Sequence, residues 1–213
     1  MMHCLKQSSI LLLFLFSCAA PYKNLQRESA ATTSALRFKP EFGRVLYRCV
    51  VDGRIVFRKF HLSGLLFFKD MHDGSTRVVF QNEMGFTFFD FEWDQKDRFK
   101  VNQIIPQLNK QALIETLEKD MSLLLMKNLN TASETVWKQD NEVFHRFNLE
   151  KGIAYYITRQ DQLVRIENAG KSKVTTITLS EREQHSELPS TIVFDHHKAN
   201  FTIRLNKIDD AED

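Results

Sequence analysis

The chain has 213 residues with 29 basic and 27 acidic side chains, so its formal net charge is only +2. The charges are interspersed and form no basic block, which excludes the electrostatic footprint of a nucleic-acid-binding protein. It has no P-loop, dinucleotide fingerprint or Gly-Xaa-Ser-Xaa-Gly elbow. We therefore expect no cofactor, no catalytic residue and no enzymatic activity.

The first eighteen residues carry the most information. Lys6 precedes an apolar run at residues 10–16. That run is shorter than the about 20 residues of a membrane-spanning helix and has the length of a secretory leader's apolar core. Leu15-Phe16-Ser17-Cys18 follows and resembles the lipobox of bacterial lipoproteins. The resemblance implies cleavage before Cys18 and acylation of this residue, for example with palmitate. An ordinary secretory leader with an incidental cysteine is the alternative.

This leader divides the chain into four predicted parts. Residues 1–17 are the signal peptide, 18–42 the lipidated N-terminus and a flexible polar tether, 43–208 a single folded domain, and 209–213 an acidic tail. Ala19 replaces the Asp that, by family analogy, retains some lipoproteins at the inner membrane. The predicted location is therefore the periplasmic face of the outer membrane.

Three cysteines are present. Cys4 would leave with the leader and Cys18 would be acylated, which leaves no intramolecular disulfide in the mature chain. Cys49 lies in an apolar strand pattern and is predicted to be a small buried side chain.

Strand patterns dominate the predicted domain. Alternation at residues 45–51 predicts a first strand, closed by a turn at Asp52-Gly53. An extended run to Lys69 follows, in which Gly64 is expected to mark a bend or bulge. Later strands are predicted at 76–80, 86–93, 99–104, 135–139, 142–148, 154–159, 163–168, 173–180, 191–195 and 200–206.

One helix is predicted after Asn109, which can cap it. Its apolar stripe, at three- and four-residue spacing, includes Leu113, Leu117, Met121 and Leu124. About eleven or twelve short strands with one inserted helix predict a mainly β (α+β) fold. We expect a strongly curved antiparallel sheet, or unclosed β-barrel, whose concave face is covered by a helical lid.

Phenylalanine is concentrated between residues 57 and 99, and both faces of the strand at 86–93 carry aromatic rings. A sheet that is wet on one side does not need this pattern. Two interpretations stay open: a strand packed between core and helix, or rings that line an apolar ligand cavity. The candidate cavity residues are Phe67, Phe86, Phe88, Phe89, Phe91, Trp93, Leu113, Leu117, Met121 and Leu124.

Two stretches, residues 62–69 and 77–91 with its Phe-Asp-Phe end, together with the lipobox, tether and helix, resemble the LolA/LolB-like lipoprotein-localisation proteins. The resemblance implies an unclosed β-barrel with a helical lid and a cavity for the acyl chains of a lipoprotein in transit. The receptor member of this group has an exposed apolar residue on a projecting loop. In this chain the turn at Met71-His72-Asp73-Gly74 would correspond to that loop.

Two polar groupings do not point to catalysis or metal binding. Asp90 and Glu92 share a strand face beside a polar hairpin end. His196 and His197 are adjacent, so in a strand they point to opposite faces, and we expect them in a turn. The predicted function is therefore binding of a lipid or acyl chain by a membrane-anchored lipoprotein. The alternative is a structural or accessory lipoprotein of an envelope complex with a filled core; the oligomeric state stays undetermined.

Overall fold

The computed structural model describes residues 22–28, 34–55, 58–129, 133–150, 152–170, 172–180 and 188–208, with residues 55 and 58 described by their backbone alone. One turn of 3₁₀ helix spans Ala35–Phe38, and the α-helix α1 spans Gln111–Leu124. The strands are β1 (Gln26–Arg27), β2 (Arg44–Ile55), β3 (Arg58–Asp70), β4 (Thr76–Gln81), β5 (Thr87–Trp93), β6 (Phe99–Ile104), β7 (Glu134–Gln139), β8 (Glu142–Leu149), β9 (Gly152–Arg159), β10 (Gln162–Ala169), β11 (Lys173–Leu179), β12 (Thr191–His196) and β13 (Phe201–Lys207).

All thirteen strands of the described ranges form one sheet in the order β1-β7-β8-β9-β10-β11-β12-β13-β2-β3-β4-β5-β6. Every neighbouring pair is antiparallel. Within the described residues, β1 and β6 are the two ends of the sheet and do not pair with each other. The prediction of a mainly β fold with one helix and an unclosed antiparallel sheet is confirmed.

The sheet bends around α1. Trp93 in β5 donates its Nε1–H to Ser122 Oγ at 2.9 Å, and Tyr156 in β9 donates its hydroxyl to the Leu123 carbonyl oxygen at 3.0 Å. β5 and β9 are eight steps apart in the sheet order, which in a flat sheet would separate them by about 38 Å. Neighbouring residues of one helix reach both strands only because the sheet is strongly curved, with α1 on its concave side.

The main apolar core lies between this concave face and α1. Phe89, Phe91 and Trp93 point inward from β5 and are at most 4% exposed. α1 contributes a buried stripe that includes Leu117 and Met121. Each fully buried side chain of this size contributes roughly 1.5–3 kcal/mol, so packing of the predicted apolar stripe holds the helix to the sheet.

The start of α1 differs from its prediction. Its N-terminal residue is Gln111 and its N-cap is Lys110, which makes no side-chain capping hydrogen bond. Asn109 instead closes the preceding turn, because its backbone N–H donates to the carbonyl oxygens of Ile105 and Pro106. The prediction that Asn109 caps the helix is therefore wrong.

Two glycines of the β2–β3 hairpin allow neighbouring groups to approach the backbone closely, and they do not form the turn and the bend or bulge that were predicted for them. β2 continues through Gly53 to Ile55, so the predicted turn at Asp52-Gly53 is wrong. A side chain at Gly53 would collide with the Phe60 ring. Gly64 lies in regular register opposite Cys49 without a bulge, and a Cβ there would collide with the Gln81 carbonyl oxygen.

A second, smaller apolar cluster lies on the convex face. It consists of Phe144, Tyr155, Ile157 and Ala169, and Tyr22 and Leu25 pack against it. β1 follows directly and pairs with β7, Arg27 opposite Trp137. We call residues 22–28 the N-terminal strap. The prediction of a flexible tether is wrong for these residues, because the strap covers apolar surface and extends the sheet.

Residues 34–42 were also assigned to the tether, and they too pack on the domain. Ala35, Phe38 and Phe42 are buried in the main core. Ser34 Oγ donates to Glu134 Oε2 at 2.9 Å, and Phe42 stacks on Phe68 with 4.5 Å between ring centroids. This segment therefore helps α1 to cover the concave face.

Candidate ligand groove beside helix α1

Most of the predicted cavity residues are packed against one another. Phe89 and Phe91 stack with centroids 4.3 Å apart, and Phe91 meets Trp93 edge to face at 6.5 Å. Leu117, Met121 and Leu124 pack into the same cluster from α1. Of the two interpretations of the aromatic strand, packing between core and helix describes the positions of these six side chains.

The other four predicted cavity residues have different surroundings. Phe67 alternates with the buried Leu66 and Phe68 and therefore lies on the convex face. It cannot line a cavity between the sheet and α1, so that prediction is wrong. Phe86 is 56% exposed in the β4–β5 turn and does not line one either. Phe88 and Leu113 are partly buried against the main core.

A groove of about 830 Å³ runs beside α1. Its apolar lining consists of the partly exposed Leu149 and Val174 on the sheet side, together with the buried Leu123, Leu129 and Tyr156. Charged side chains stand at its rim, among them Glu115, Lys119, Glu150 and Lys198. None of the ten predicted cavity residues belongs to its lining.

A buried carboxyl–imidazole pair lies in the groove wall. His196 Nε2 lies 2.6 Å from Asp120 Oδ2, and the side chains are 3% and 1% exposed. His196 Nδ1 lies 3.1 Å from the Phe201 carbonyl oxygen, which can only accept, so Nδ1 carries a proton. One further proton must lie between Nε2 and Oδ2. Burial raises the pKa of Asp120, and the hydrogen bond and charge of His196 oppose this rise.

This pair was not among the predicted site residues. His196 was predicted in a turn, but it is the last residue of β12 and points to α1, whereas His197 contacts Thr176 on an exposed part of the sheet. A clue was present in the helix. Asp120 lies three residues after Leu117 and four before Leu124, so the apolar stripe contains a carboxyl group that requires a buried partner.

A second cavity, of about 430 Å³, lies on the convex face beside the strap. Glu167 accepts hydrogen bonds from Tyr22, Arg165 and Lys173 at 2.6, 2.7 and 2.7 Å. Burial opposes ionisation of Glu167, but the hydrogen bonds from Lys173 and Tyr22 outweigh it and lower its pKa. Arg165 also binds Glu142 through both terminal nitrogens, at 3.1 and 2.7 Å. The charges of this cavity are therefore largely neutralised by one another.

Exposed apolar side chains occur at the β4–β5 turn. Met84 is 91% and Phe86 56% exposed. Asn82 Oδ1 accepts the backbone N–H groups of Met84 and Phe86 at 3.0 and 2.8 Å and so shapes the turn. The turn at residues 71–74, proposed above as the projecting apolar loop, has a half-buried Met71. The exposed apolar tip thus lies one hairpin further along the chain.

The predictions for Cys49 and Cys18 differ in whether the described residues test them. Cys49 is 2% exposed, and burial raises the pKa of its thiol to about 12. The prediction that Cys49 is a buried small side chain is confirmed. Cys18 and the signal peptide lie outside the described residues, so acylation of Cys18 stays a prediction. In the described ranges no helix is long and apolar enough to span a bilayer, and no group of three or more His, Cys, Asp or Glu side chains is arranged to hold a metal ion.

Solved structures with a similar fold were found for this chain. A LolA-superfamily protein of Nitrosomonas europaea superposes with a TM-score of 0.51 and 6% identity, over 81% of this chain and 87% of that one. A candidate outer membrane lipoprotein-sorting domain of Vibrio parahaemolyticus has a TM-score of 0.49 and 7% identity, over 82% of this chain and 87% of that one. A DUF1329 family protein of Desulfovibrio piger has a TM-score of 0.44 and 10% identity, over 78% of this chain and 84% of that one. No protein-family model and no curated protein matches the sequence. The likeness is therefore one of architecture, and this chain has a LolA-like fold.

Proposed function

We propose that this protein is an acylated lipoprotein of the bacterial envelope that binds a lipid or acyl chain in the groove beside α1, as part of lipid or lipoprotein trafficking. Cys18 would anchor it in the outer membrane with the domain on the periplasmic side. The observation that carries the proposal is the groove itself, which lies between the helix and the curved sheet of a LolA-like fold.

The groove has the size and chemistry of a small-molecule site. Its volume of about 830 Å³ falls within the roughly 300–1,000 Å³ of such sites. An acyl chain would lie first on the partly exposed Leu149 and Val174, where each buried CH₂ contributes roughly 0.8 kcal/mol. The buried Leu123 and Tyr156 would meet the chain once α1 shifts. A polar headgroup would remain among the charged side chains of the rim, where it stays hydrated.

A longer ligand would require α1 to move, which is the lid role that we propose for it. Below the groove the helix is packed on the core through Leu117, Met121 and Leu124. Hydrogen bonds to Trp93, Tyr156 and His196 tie it to three strands of the sheet. Displacement of α1 would open this apolar face to an acyl chain in place of the helix.

We propose binding and not catalysis for this groove. The Asp120–His196 pair is the one buried acid–base couple that we find in its described lining, and both nitrogens of His196 are occupied by protein partners. An imidazole with both nitrogens engaged in this way is suited to a structural contact between the helix and the strand. The pair therefore serves to fasten α1 to β12.

A second function is favoured by the packed aromatic core. Because Phe89, Phe91 and Trp93 interlock with one another and with Phe99, the same fold would also suit an accessory lipoprotein that holds no ligand. In that case the exposed Met84 and Phe86 would contact a partner protein in an envelope complex.

Photocrosslinking separates the two functions. The chain without its leader, carrying Cys18→Ser to remove its own acyl chains, is incubated with palmitic acid bearing a photoreactive diazirine, and crosslinked peptides are mapped by mass spectrometry. Ligand binding predicts crosslinks in the peptides that contain Leu123, Leu149 and Tyr156. Labelling confined to the peptide with Met84 and Phe86, or no labelling, favours the accessory function.

A matched pair of variants tests the location. Val174→Trp places a bulky ring in the groove and should abolish groove labelling. Val193→Trp adds the same ring to β12 on the opposite face, since Val193 alternates with the buried Ile192 and Phe194, and should leave labelling unchanged. Equal loss in both variants would show that labelling reports general damage to the fold.

A further inference from the structure

The strap fixes where the chain leaves the domain on its way to the proposed anchor. Tyr22 stacks on Tyr155 with ring centroids 4.1 Å apart, and its hydroxyl donates to Glu167 Oε2 at 2.6 Å. The Lys173 ammonium lies 5.9 Å from the Tyr22 ring centroid. Further along, Glu28 N–H donates to the Val136 carbonyl oxygen at 3.0 Å. Tyr22 is therefore held on the convex face by stacking, a charge-assisted hydrogen bond and a cation–π contact.

Cys18 precedes Tyr22 by four residues, and a fully extended chain of this length spans at most about 14 Å. If Cys18 carries the acyl chains, its Cα lies at the membrane surface. The inference rests on that part of the proposed function. A tether that began only at residue 43 would place no limit on which side of the domain faces the lipid, because about 25 residues of flexible chain reach roughly 25–30 Å.

We propose that the strap holds the convex face of β9–β11 against the membrane that carries the anchor, so that the groove beside α1 opens away from it. The surface that meets the lipid headgroups is the one around Tyr22 and Lys173. The groove lies on the opposite, concave side of the same sheet, because Tyr156 points into it while its neighbour Tyr155 lies under Tyr22. A ligand or partner would therefore reach the groove from the aqueous side.

Charge does not supply this orientation. The cations around Tyr22 are paired with carboxylates: Lys173 with Glu167, and Arg165 with both Glu142 and Glu167. Paired charges leave little net attraction for anionic lipid headgroups. The orientation should therefore depend on the length of chain between Cys18 and Tyr22 and hardly on lipid charge.

Energy transfer to the membrane tests the orientation. The full acylated protein is placed in phosphatidylcholine vesicles that contain an acceptor-labelled lipid, and a donor dye is attached to Thr178→Cys or to Ala112→Cys. Thr178 is exposed on the convex face opposite Arg165, and Ala112 is exposed at the groove rim. Cys49 stays unlabelled, because it is buried and its thiol pKa is raised to about 12.

We expect more transfer from position 178 than from position 112, and the same difference when part of the lipid is replaced by phosphatidylglycerol. Tyr22→Ala should remove the difference, whereas Tyr22→Phe, which keeps the stacked ring, should retain it. A second variant leaves the strap intact: about ten Gly/Ser residues inserted after Ala20 raise the root-mean-square span of the chain between Cys18 and Tyr22 by roughly 10 Å and should lower transfer from position 178 to that from position 112.

Equal or greater transfer from position 112 in the acylated protein would overturn the orientation and leave the anchor and the groove untouched. The mass of the Cys18 peptide reports the anchor separately. A peptide without acyl chains would overturn both the anchor and the orientation, and the photocrosslinking experiment would still decide whether the groove binds an acyl chain.

Discussion

Asp120 and His196 join α1 to β12 across one shared proton, with 2.6 Å between Oδ2 and Nε2. Because both side chains are buried, neither can exchange its partner for water. The two possible positions of the proton give different consequences for substitution. A proton on Asp120 makes both groups neutral, and an amide can then take the place of the carboxyl group.

Asp120→Asn should therefore cost little, since the amide N–H can donate to Nε2 of a neutral His196. Asp120→Ala leaves Nε2 without a partner and should lower the free energy of unfolding by about 1–3 kcal/mol. Urea unfolding of the two variants at pH 7 measures both values. Equal destabilisation by Asn and Ala would show instead that His196 needs a carboxylate.

The same pair gives a pH dependence of defined sign. The pKa of Asp120 is raised above 3.8 in the folded protein, so the folded state binds this proton more tightly than the unfolded state. Its contribution to stability is complete below pH 3.8 and is lost as pH rises through the folded pKa. The difference in unfolding free energy between the unsubstituted protein and Asp120→Asn should fall with rising pH in this window. A difference that rises instead would place the proton on His196.

Glu167 should make the strap sensitive to acid. Its pKa is lowered from 4.5, so its contribution to stability is present above pH 4.5 and is lost as pH falls through the folded pKa. Glu167→Gln should loosen the strap at neutral pH, because the charge-assisted hydrogen bond from the Tyr22 hydroxyl to the Glu167 carboxylate is lost. Tryptic cleavage after Arg27 should be faster in the variant, with cleavage after Lys96, which is exposed in the β5–β6 turn outside the strap, as the internal reference. An unchanged rate after Arg27 would mean that β1 and Leu25 suffice to hold the strap.

Substitutions in the aromatic strand should separate core from surface. Phe91→Ala removes a fully buried ring and should destabilise the protein by about 3–5 kcal/mol. Phe86→Ala, in the exposed turn, should change stability by no more than about 0.5 kcal/mol. Thermal unfolding followed by circular dichroism measures both. A mild effect of Phe91→Ala would indicate that the core has room to spare, as a ligand cavity requires.

Gly64 should tolerate no side chain. Gly64→Ala would press a Cβ against the Gln81 carbonyl oxygen, which belongs to the backbone and cannot turn aside, and overpacking of this kind costs about 1–3 kcal/mol. Ser63→Ala, at the neighbouring exposed position of the same strand, is the control. Stability that is equal in the two variants would show that β4 moves away from β3 at no cost.

Much of the fold could be predicted from sequence, because side-chain alternation reports directly which strand face is buried. β5 shows this well: Phe89, Phe91 and Trp93 share the inner face as the pattern predicts. Glycine was less informative. The missing side chains at Gly53 and Gly64 make room for the Phe60 ring and for the Gln81 backbone, and these close approaches exist only once β2, β3 and β4 have paired.

The candidate site was not predictable in the same way. The groove lies between α1 and parts of β8, β9, β11 and β12, and its lining combines side chains far apart in the chain, such as Leu123 and Val174. The packing of the strap was not predicted, because residues 22–28 form a short and mostly polar segment. Tyr22 and Leu25 become core residues only on the apolar convex patch that β8–β10 provide.

The open end of the sheet at β6 has a consequence for self-association. On the side away from β5, no strand of the described chain pairs with β6, so its outer main-chain amides and carbonyls can accept a strand from a second molecule. Lys100 projects from this border, and a cation there resists such an addition because two copies would bring like charges together. Replacing Lys100 with an uncharged β-branched residue would remove one charge that opposes edge-to-edge pairing of the domains into fibril-like stacks.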